Sequence, residues 1–118
     1  MEIKRGMVFL TDAGKTLGSE QSGLRPAVVI QNNIGNAKSS TTIVAFVTSQ
    51  NKQPLPTHVE LRSEGFERKS QALLEQLRTV SKARLKKYIC TLNAGDMKKI
   101  DEAVMISLAL TERTKYNG

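Results

Sequence analysis

Apolar residues in this chain fall in short runs divided by polar stretches, and most of the runs have the β-branched makeup of strands. The first, Met7-Val8-Phe9-Leu10-Thr11, ends at the turn-forming cluster Asp12-Ala13-Gly14. The second runs from Arg25 to Gln31 with Ala27-Val28-Val29-Ile30 as its apolar body. Thr41 to Thr48, TTIVAFVT, is the densest in β-branched side chains and is the clearest strand of all. Thr57 to Leu61 alternates as a short strand, Ser70 to Val80 reads as one or two strands, and Tyr88 to Leu92 is the last. Only the final stretch changes period. Met97, Ile100, Val104 and Leu108 are spaced by three or four, with Asn93 as N-cap and Asp96 in the first turn. That pattern predicts an amphipathic helix of about four turns.

The connections are as informative as the runs. Asp12 to Leu24 is polar and holds three glycines and two serines, a length that suggests function or mobility more than structure. Asn32 to Asn36 tolerates left-handed backbone and predicts a tight turn leading into a loop. Ser49 to Pro56 is polar and broken by Pro54 and Pro56, which leaves no room for a regular element. Arg62 to Lys69 is a charged excursion around Gly65-Phe66, and Ser81 is placed to cap a short helical turn over Lys82 to Leu85. Together these elements predict a mainly β fold: a partly closed β-barrel with short helical pieces and a C-terminal α-helix packed across it.

Composition narrows the partners. A chain of 118 residues suits one domain, here residues 1–118, with enough length for one real core. Its net charge of +7 predicts a surface that attracts polyanions, of which nucleic acid is the commonest. Aromatic residues make up only 4%, which disfavours grip by broad stacking platforms. The single cysteine, Cys90, cannot form an internal disulfide and reads as a small buried hydrophobe, and one Cys with one His argues against a structural zinc site. No apolar run is long enough for a membrane span and MEIKRG lacks a signal peptide's apolar segment, so the expected location is the cytoplasm.

The candidate chemistry centres on Arg25. It stands where the polar run GSEQSGL meets a buried strand, and Pro26 behind it restricts its backbone to extended conformations. A guanidinium is charged at any physiological pH and offers a planar fork that matches phosphate oxygens. The chain has no Walker loop, GxGxxG or GxSxG, and its carboxylates are scattered rather than paired in a motif. Cleavage of nucleic acid by this chain would therefore proceed without a metal or other cofactor. RNA permits that, since its 2′-hydroxyl can attack the adjacent phosphorus once cationic and hydroxyl donors stabilise the crowded phosphate. Thr48, at the end of the clearest strand, is the candidate hydroxyl. His58 alone has an ordinary pKa near neutrality, which suits a general acid or base, though a histidine opening a strand equally suits substrate binding or plain solvent contact. Gln21 and Gln76 have amides able to read base edges, and Leu55, between two prolines, could stack under a base.

Taken together, KRGMVFL, GSEQSGLRPAVVIQN, TTIVAFVTSQ, LPTHVEL, LLEQLRTV and DEAVMISLAL closely resemble the MazF/PemK family of bacterial toxins, in particular its Gram-positive branch. The resemblance implies an SH3-like β-barrel, a homodimer, and a sequence-specific endoribonuclease that cuts single-stranded messenger RNA without a metal. The products would carry a 2′,3′-cyclic phosphate and a free 5′-hydroxyl, and a MazE-type antitoxin would lay an acidic segment over the RNA channel. Carried over by motif, Arg25 and Thr48 fall on the catalytic positions and Ser19, Glu20 and Gln21 on the loop over the substrate, while Ser49, Gln50, Leu55, His58, Gln76 and Arg78 fall on segments along the RNA path. Two alternatives stay open: a gyrase-poisoning barrel of the CcdB kind, against which the presence of both Arg25 and Thr48 argues, and a non-cleaving module that binds single-stranded RNA.

Overall fold

The computed structural model describes residues 2–15, 23–50 and 53–110. Six strands, β1 (Met7–Asp12), β2 (Leu24–Val29), β3 (Thr41–Thr48), β4 (His58–Glu60), β5 (Gln71–Ser81) and β6 (Leu85–Thr91), form one sheet in the order β4-β5-β3-β2-β1-β6. Every neighbouring pair is antiparallel. Among the described residues the two edge strands, β4 and β6, do not pair with each other, so the barrel is only partly closed, as expected from the sequence.

The two faces of this curved sheet differ. On one, Val8, Val28, Ala45, Val47, Ala72 and Leu74 form the main core. The C-terminal helix α2 (Ala94–Ser107) closes it with Ile100 and Ala103, while Met97 and Val104 pack at its margin. Asn93 caps α2 by accepting from the Asp96 N–H at 2.8 Å, and Ser107 Oγ ties the last turn to the Leu74 carbonyl at 2.8 Å. Leu108, expected as the fourth member of the apolar stripe, instead lies just past the helix end and is exposed; Ala103 takes its place in the core. The opposite face carries a smaller cluster of Ala13, Ala27, Val44, Phe46 and Val80.

Two other segments depart from expectation, and a third settles a choice the sequence left between one strand and two. Asn33–Lys38 is a short helix, α1, rather than a turn and loop. Asn32 accepts from the Gly35 N–H, and the buried Asn36 side chain donates to the Gln31 carbonyl and accepts from Thr42 Oγ1, so tertiary contacts decide the conformation. Lys82 Nζ then satisfies the carbonyls of Asn36 and Ser39 at its C-terminal end. Next, β5 is one continuous strand. Its register against β3 jumps between Ala45↔Leu77 and Val47↔Ala72, so the four residues Leu73 to Gln76 stand against Phe46 alone and let one strand serve two directions of the sheet. Finally, the turn capped by Ser81 is a 3-10 turn over Lys82–Arg84 that feeds β6 at once, so that strand begins at Leu85 rather than Tyr88.

Between β1 and β2 the chain is pinched at the base of its connection. The Ala13 N–H donates to the Gly23 carbonyl at 2.8 Å, and the Gly23 N–H donates to the Gly14 carbonyl at 3.0 Å. Gly14 and Gly23 both have φ in the left-handed region, +70° and +74°, which is where a side chain would be strained. Arg25 starts two residues past this clasp.

Candidate active site

Register places the two principal candidates side by side. Strands β2 and β3 pair through Ala27↔Phe46, Val28↔Ala45 and Val29↔Val44, and the ladder stops beside Pro26, which has no N–H to give. Continuing the same register by two residues sets Arg25 opposite Thr48. Directly opposed residues of an antiparallel pair share a face, so both lie on the side of the sheet that carries Ala27 and Phe46, away from α2. On its other flank Arg25 faces Thr11, and on its other flank Thr48 faces Gln71.

Each of these side chains is set by its surroundings. Arg25 is partly buried and its Nε is enclosed with no hydrogen-bond partner. An unsatisfied buried donor costs about 1–3 kcal/mol, which marks Arg25 as a side chain held without a protein partner for its Nε. Thr48 is only 3% exposed. Its Oγ1 accepts the Gln50 N–H at 3.1 Å, which leaves the hydroxyl proton free to be donated elsewhere. That same bond folds the chain back at Ser49 and Gln50, both exposed, immediately beyond β3. A guanidinium and a hydroxyl with free donors on one face are suited to hold a tetrahedral oxyanion.

His58 is fixed differently. Its Nε2 lies 2.8 Å from Glu75 Oε2, while Thr57 Oγ1 donates to Glu75 Oε1 at 3.0 Å. Burial pushes the Glu75 carboxyl up, but the His58 ring, a backbone N–H and the Thr57 hydroxyl outweigh it and hold the group below its ordinary range. The His58 side chain is 8% exposed and its Nδ1 has no partner. It sits on edge strand β4, two strands from Thr48 and hence roughly 10 Å away across the sheet. It is thus outside reach of the phosphate that Arg25 and Thr48 would share, which fits substrate contact better than proton transfer.

The remaining candidates spread out from this centre. Leu55 is exposed in the segment that precedes β4, and its carbonyl accepts the His58 N–H. Gln76 sits in the β5 bulge, and Arg78 opposes Val44 four residues along β3 from Thr48. Ser19, Glu20 and Gln21 lie outside the described residues. Reading the sequence missed Gln71, Glu60 and Lys69, which surround a polar cavity beside Thr48. A signal was present in the alternation of polar Gln71 with buried Ala72, but it gains meaning only once β5 is known to lie against Thr48.

The sequence pattern of the PemK-like, MazF-like toxins of type II toxin-antitoxin systems matches residues 4–108. The chain belongs to this toxin family. Among the relatives of this PemK/MazF-like chain is Endoribonuclease EndoA of Bacillus subtilis (strain 168), 52% identical over 115 residues that cover 95% of this chain and 99% of that protein. Its fold is shared by an endoribonuclease from a mycobacterial species in complex with its cognate antitoxin, with a TM-score of 0.80 at 22% identity, covering 93% of this chain and 98% of that one. MazF from Deinococcus radiodurans is similar with a TM-score of 0.79 at 20% identity, covering 92% and 98%. Among the described residues, no helix of this PemK/MazF-like toxin is long and apolar enough to cross a membrane.

Proposed function

We propose that this toxin is an endoribonuclease that cleaves single-stranded messenger RNA at a preferred sequence by using the RNA's own 2′-hydroxyl. The observation that carries the reading is the β2–β3 register, which, continued two residues past Ala27↔Phe46, sets Arg25 opposite Thr48, with an unpartnered guanidinium nitrogen on one side and a free hydroxyl proton on the other. In the proposed step the 2′-hydroxyl gives its proton to solvent water and its oxygen bonds to the adjacent phosphorus. The bond from phosphorus to the 5′-oxygen breaks, and that oxygen is protonated as it leaves. Arg25 stabilises the crowded equatorial oxygens and helps protonate the leaving group, while Thr48 donates to the same phosphate and orients it. A guanidinium with pKa above about 12 is a poor base, so its part is electrostatic and, late in the step, acidic. The products are a 2′,3′-cyclic phosphate and a 5′-hydroxyl end.

The substrate path extends from this phosphate over Ser49 and Gln50, the exposed Leu55, and the side chains of His58, Gln76 and Arg78, with Ser19, Glu20 and Gln21 completing it. No metal enters the scheme. MazE-MazF assemblies exist for Deinococcus radiodurans and a cognate antitoxin complex for the mycobacterial protein. By extension, the partner here is a MazE-type antitoxin whose acidic segment competes with RNA for the basic groove of a homodimer in the cytoplasm. The test is digestion of a mixed RNA pool in EDTA with sequencing of 5′-hydroxyl ends. Discrete cuts bearing 5′-hydroxyls are expected. Ends bearing 5′-phosphate, or cutting that stops in EDTA and returns with magnesium, would overturn the scheme.

A further inference from the structure

On the far side of Arg25 the same row of the sheet runs on into β1 and β6. Thr11 faces Arg25 on one flank and Leu85 on the other. Thr11 and Ala13 are fully buried, and Leu85 packs against the cluster that holds Ala13, Ala27 and Phe46. Support for Arg25 is one-sided. Its ladder with β3 ends at Ala27↔Phe46, whereas its pairing with β1 runs through Thr11↔Arg25 and Asp12↔Leu24 to the clasp of Ala13, Gly14 and Gly23. The backbone of Arg25 is therefore only as well placed as the end of β1.

That end is held from outside the strand. β1 pairs with β6 no further than Thr11↔Leu85, so Asp12 has no partner within β6. The Arg84 side chain takes the missing place, with its Nη1 donating to the Asp12 carbonyl at 3.2 Å. The same nitrogen lies against Gly14, where an added β-carbon would stand 3.1 Å from it. Asp12 Oδ1 accepts the Gly14 N–H at 2.8 Å, which joins this carbonyl's own residue to the clasp. Arg84 projects from a fixed base. It ends the 3-10 turn that Ser81 caps, and the Lys82 N–H and Nζ in that turn bond the carbonyls of Ser40, Asn36 and Ser39. A charged donor on a rigid turn, aimed at a strand-end carbonyl, acts as one more rung of the ladder.

We propose that Arg84 is a positioning residue for RNA cleavage: by holding the end of β1 it keeps Arg25 in register with Thr48, without touching the RNA itself. The inference rests on the endoribonuclease reading above. Arg25 acts on charge that develops as the 2′-oxygen attacks, so a shift of its backbone falls on the chemical step more than on binding. Loss of the Arg84 contact should lower kcat on the order of tenfold, a fraction of the roughly 10²-fold that a 1 Å misplacement can cost. KM should stay within about twofold, as for an interaction felt only in the transition state.

The test is cleavage of one short RNA, carrying a cut site found in the pool digestion, with kcat and KM measured at several salt concentrations. The proteins compared are the wild-type chain, Arg84→Met and Arg84→Lys. Arg84→Met keeps the aliphatic stem but loses the donor, and should show the fall in kcat at unchanged KM. Arg84→Lys keeps a charged donor for the carbonyl and should recover most of the rate. The slope of log KM against log salt should match the wild type, where loss of a phosphate contact would reduce it by about 1. In an Arg25→Lys background Arg84→Met should cost less than it does alone, because Arg84 acts through Arg25. An unchanged kcat in Arg84→Met would overturn the proposal. So would a raised KM with a shallower salt slope, which would make Arg84 a direct phosphate contact, or equal losses in the Met and Lys variants. Each of these leaves the endoribonuclease reading intact, whereas a wild-type chain that cuts no RNA removes both. Should a thermal melt show Arg84→Met to be unfolded at the assay temperature, Arg84→Gln, which stays polar but stops short of the Asp12 carbonyl, takes its place under the same criteria.

Discussion

The carboxylate of Asp96 accepts both the backbone N–H of Ser63, at 2.8 Å, and its side-chain hydroxyl, at 2.5 Å, across 33 residues of chain. It also takes the Arg62 N–H at 2.9 Å, and Ser63 Oγ in turn accepts the Asn93 N–H at 2.7 Å. One buried acid in the first turn of α2 thereby anchors the start of the Arg62–Lys69 excursion to the helix that closes the main core. The site's flank depends on that anchor, since Glu60 and Lys69 bracket it.

Asp96→Asn should therefore cost about 2–4 kcal/mol at pH 7, because a charged acceptor with several donors becomes an amide with one acceptor and a misplaced N–H₂. Burial raises the Asp96 carboxyl, but the Ser63 hydroxyl, the N–H groups of Arg62 and Ser63 and the charge of Lys99 hold it below its ordinary range. A folded value below the unfolded one means that the contribution is complete above an unfolded pKa of about 4 and is lost as pH falls through the folded value. Urea denaturation from pH 7 down to pH 3 checks both points. The gap between variant and wild type should shrink in acid, and a constant gap would contradict the charge-based account.

Within the same excursion, Gly65 has φ of +119°, and a β-carbon built there would lie 2.6 Å from Cys90 Cβ and 3.0 Å from its sulfur. Gly65→Ala should destabilise the fold by about 3 kcal/mol, combining a disfavoured backbone region with a clash against a core strand. Cys90→Ala relieves only the contact to sulfur, since alanine keeps the offending β-carbon. The double variant should therefore melt close to Gly65→Ala alone, and full rescue would show that the sulfur, not the backbone approach, sets the constraint.

Strand β3 and helix α2 were legible in the sequence because their own side chains decide them: β-branched density in one, a period of three to four with an Asn93 cap in the other. Helix α1 was not, because Asn and Gly in its six residues favour turns, and its stability comes from Thr42 and Lys82, brought in from elsewhere to bond Asn36. The continuity of β5 was hidden for a related reason. A bulge breaks its alternation, and only pairing with β3 and β4 reveals that the two halves are one strand. Arg25 and Thr48 could each be picked from local context and from family resemblance. That they oppose one another is a property of register, which a single chain does not display, and Gln71 was invisible for the same reason.

His58 and Glu75 form a pair whose value lies in mutual positioning. His58 already has one ring nitrogen without a partner, so Glu75→Ala would strand the second. The expected cost is about 1–2 kcal/mol. His58→Ala should remove much of the same energy, and the double variant should fall short of the sum by about 1 kcal/mol, the mark of direct coupling. A double-mutant cycle by chemical denaturation measures it. Strict additivity would mean that the 2.8 Å contact contributes nothing in solution.

The opposition of Arg25 and Thr48 makes the sharpest demand. Arg25→Lys retains the charge but loses the planar fork, so the cleavage rate should fall about 10²–10³-fold, the cost of removing a preorganised donor to a developing oxyanion. Thr48→Val keeps shape and burial while deleting the hydroxyl, and should lose about 10–10²-fold. Thr48→Ser, which restores the donor and the Gln50 N–H contact, should recover most of it. If the two side chains grip one phosphate, combining Arg25→Lys with Thr48→Val should cost less than the product of the single effects, because each single change already misplaces the group the other holds. Single-turnover cleavage of a short RNA by the four proteins decides the point. A fully active Arg25→Lys would refute the forked contact, and effects that multiply without interaction would place the two side chains on different parts of the substrate.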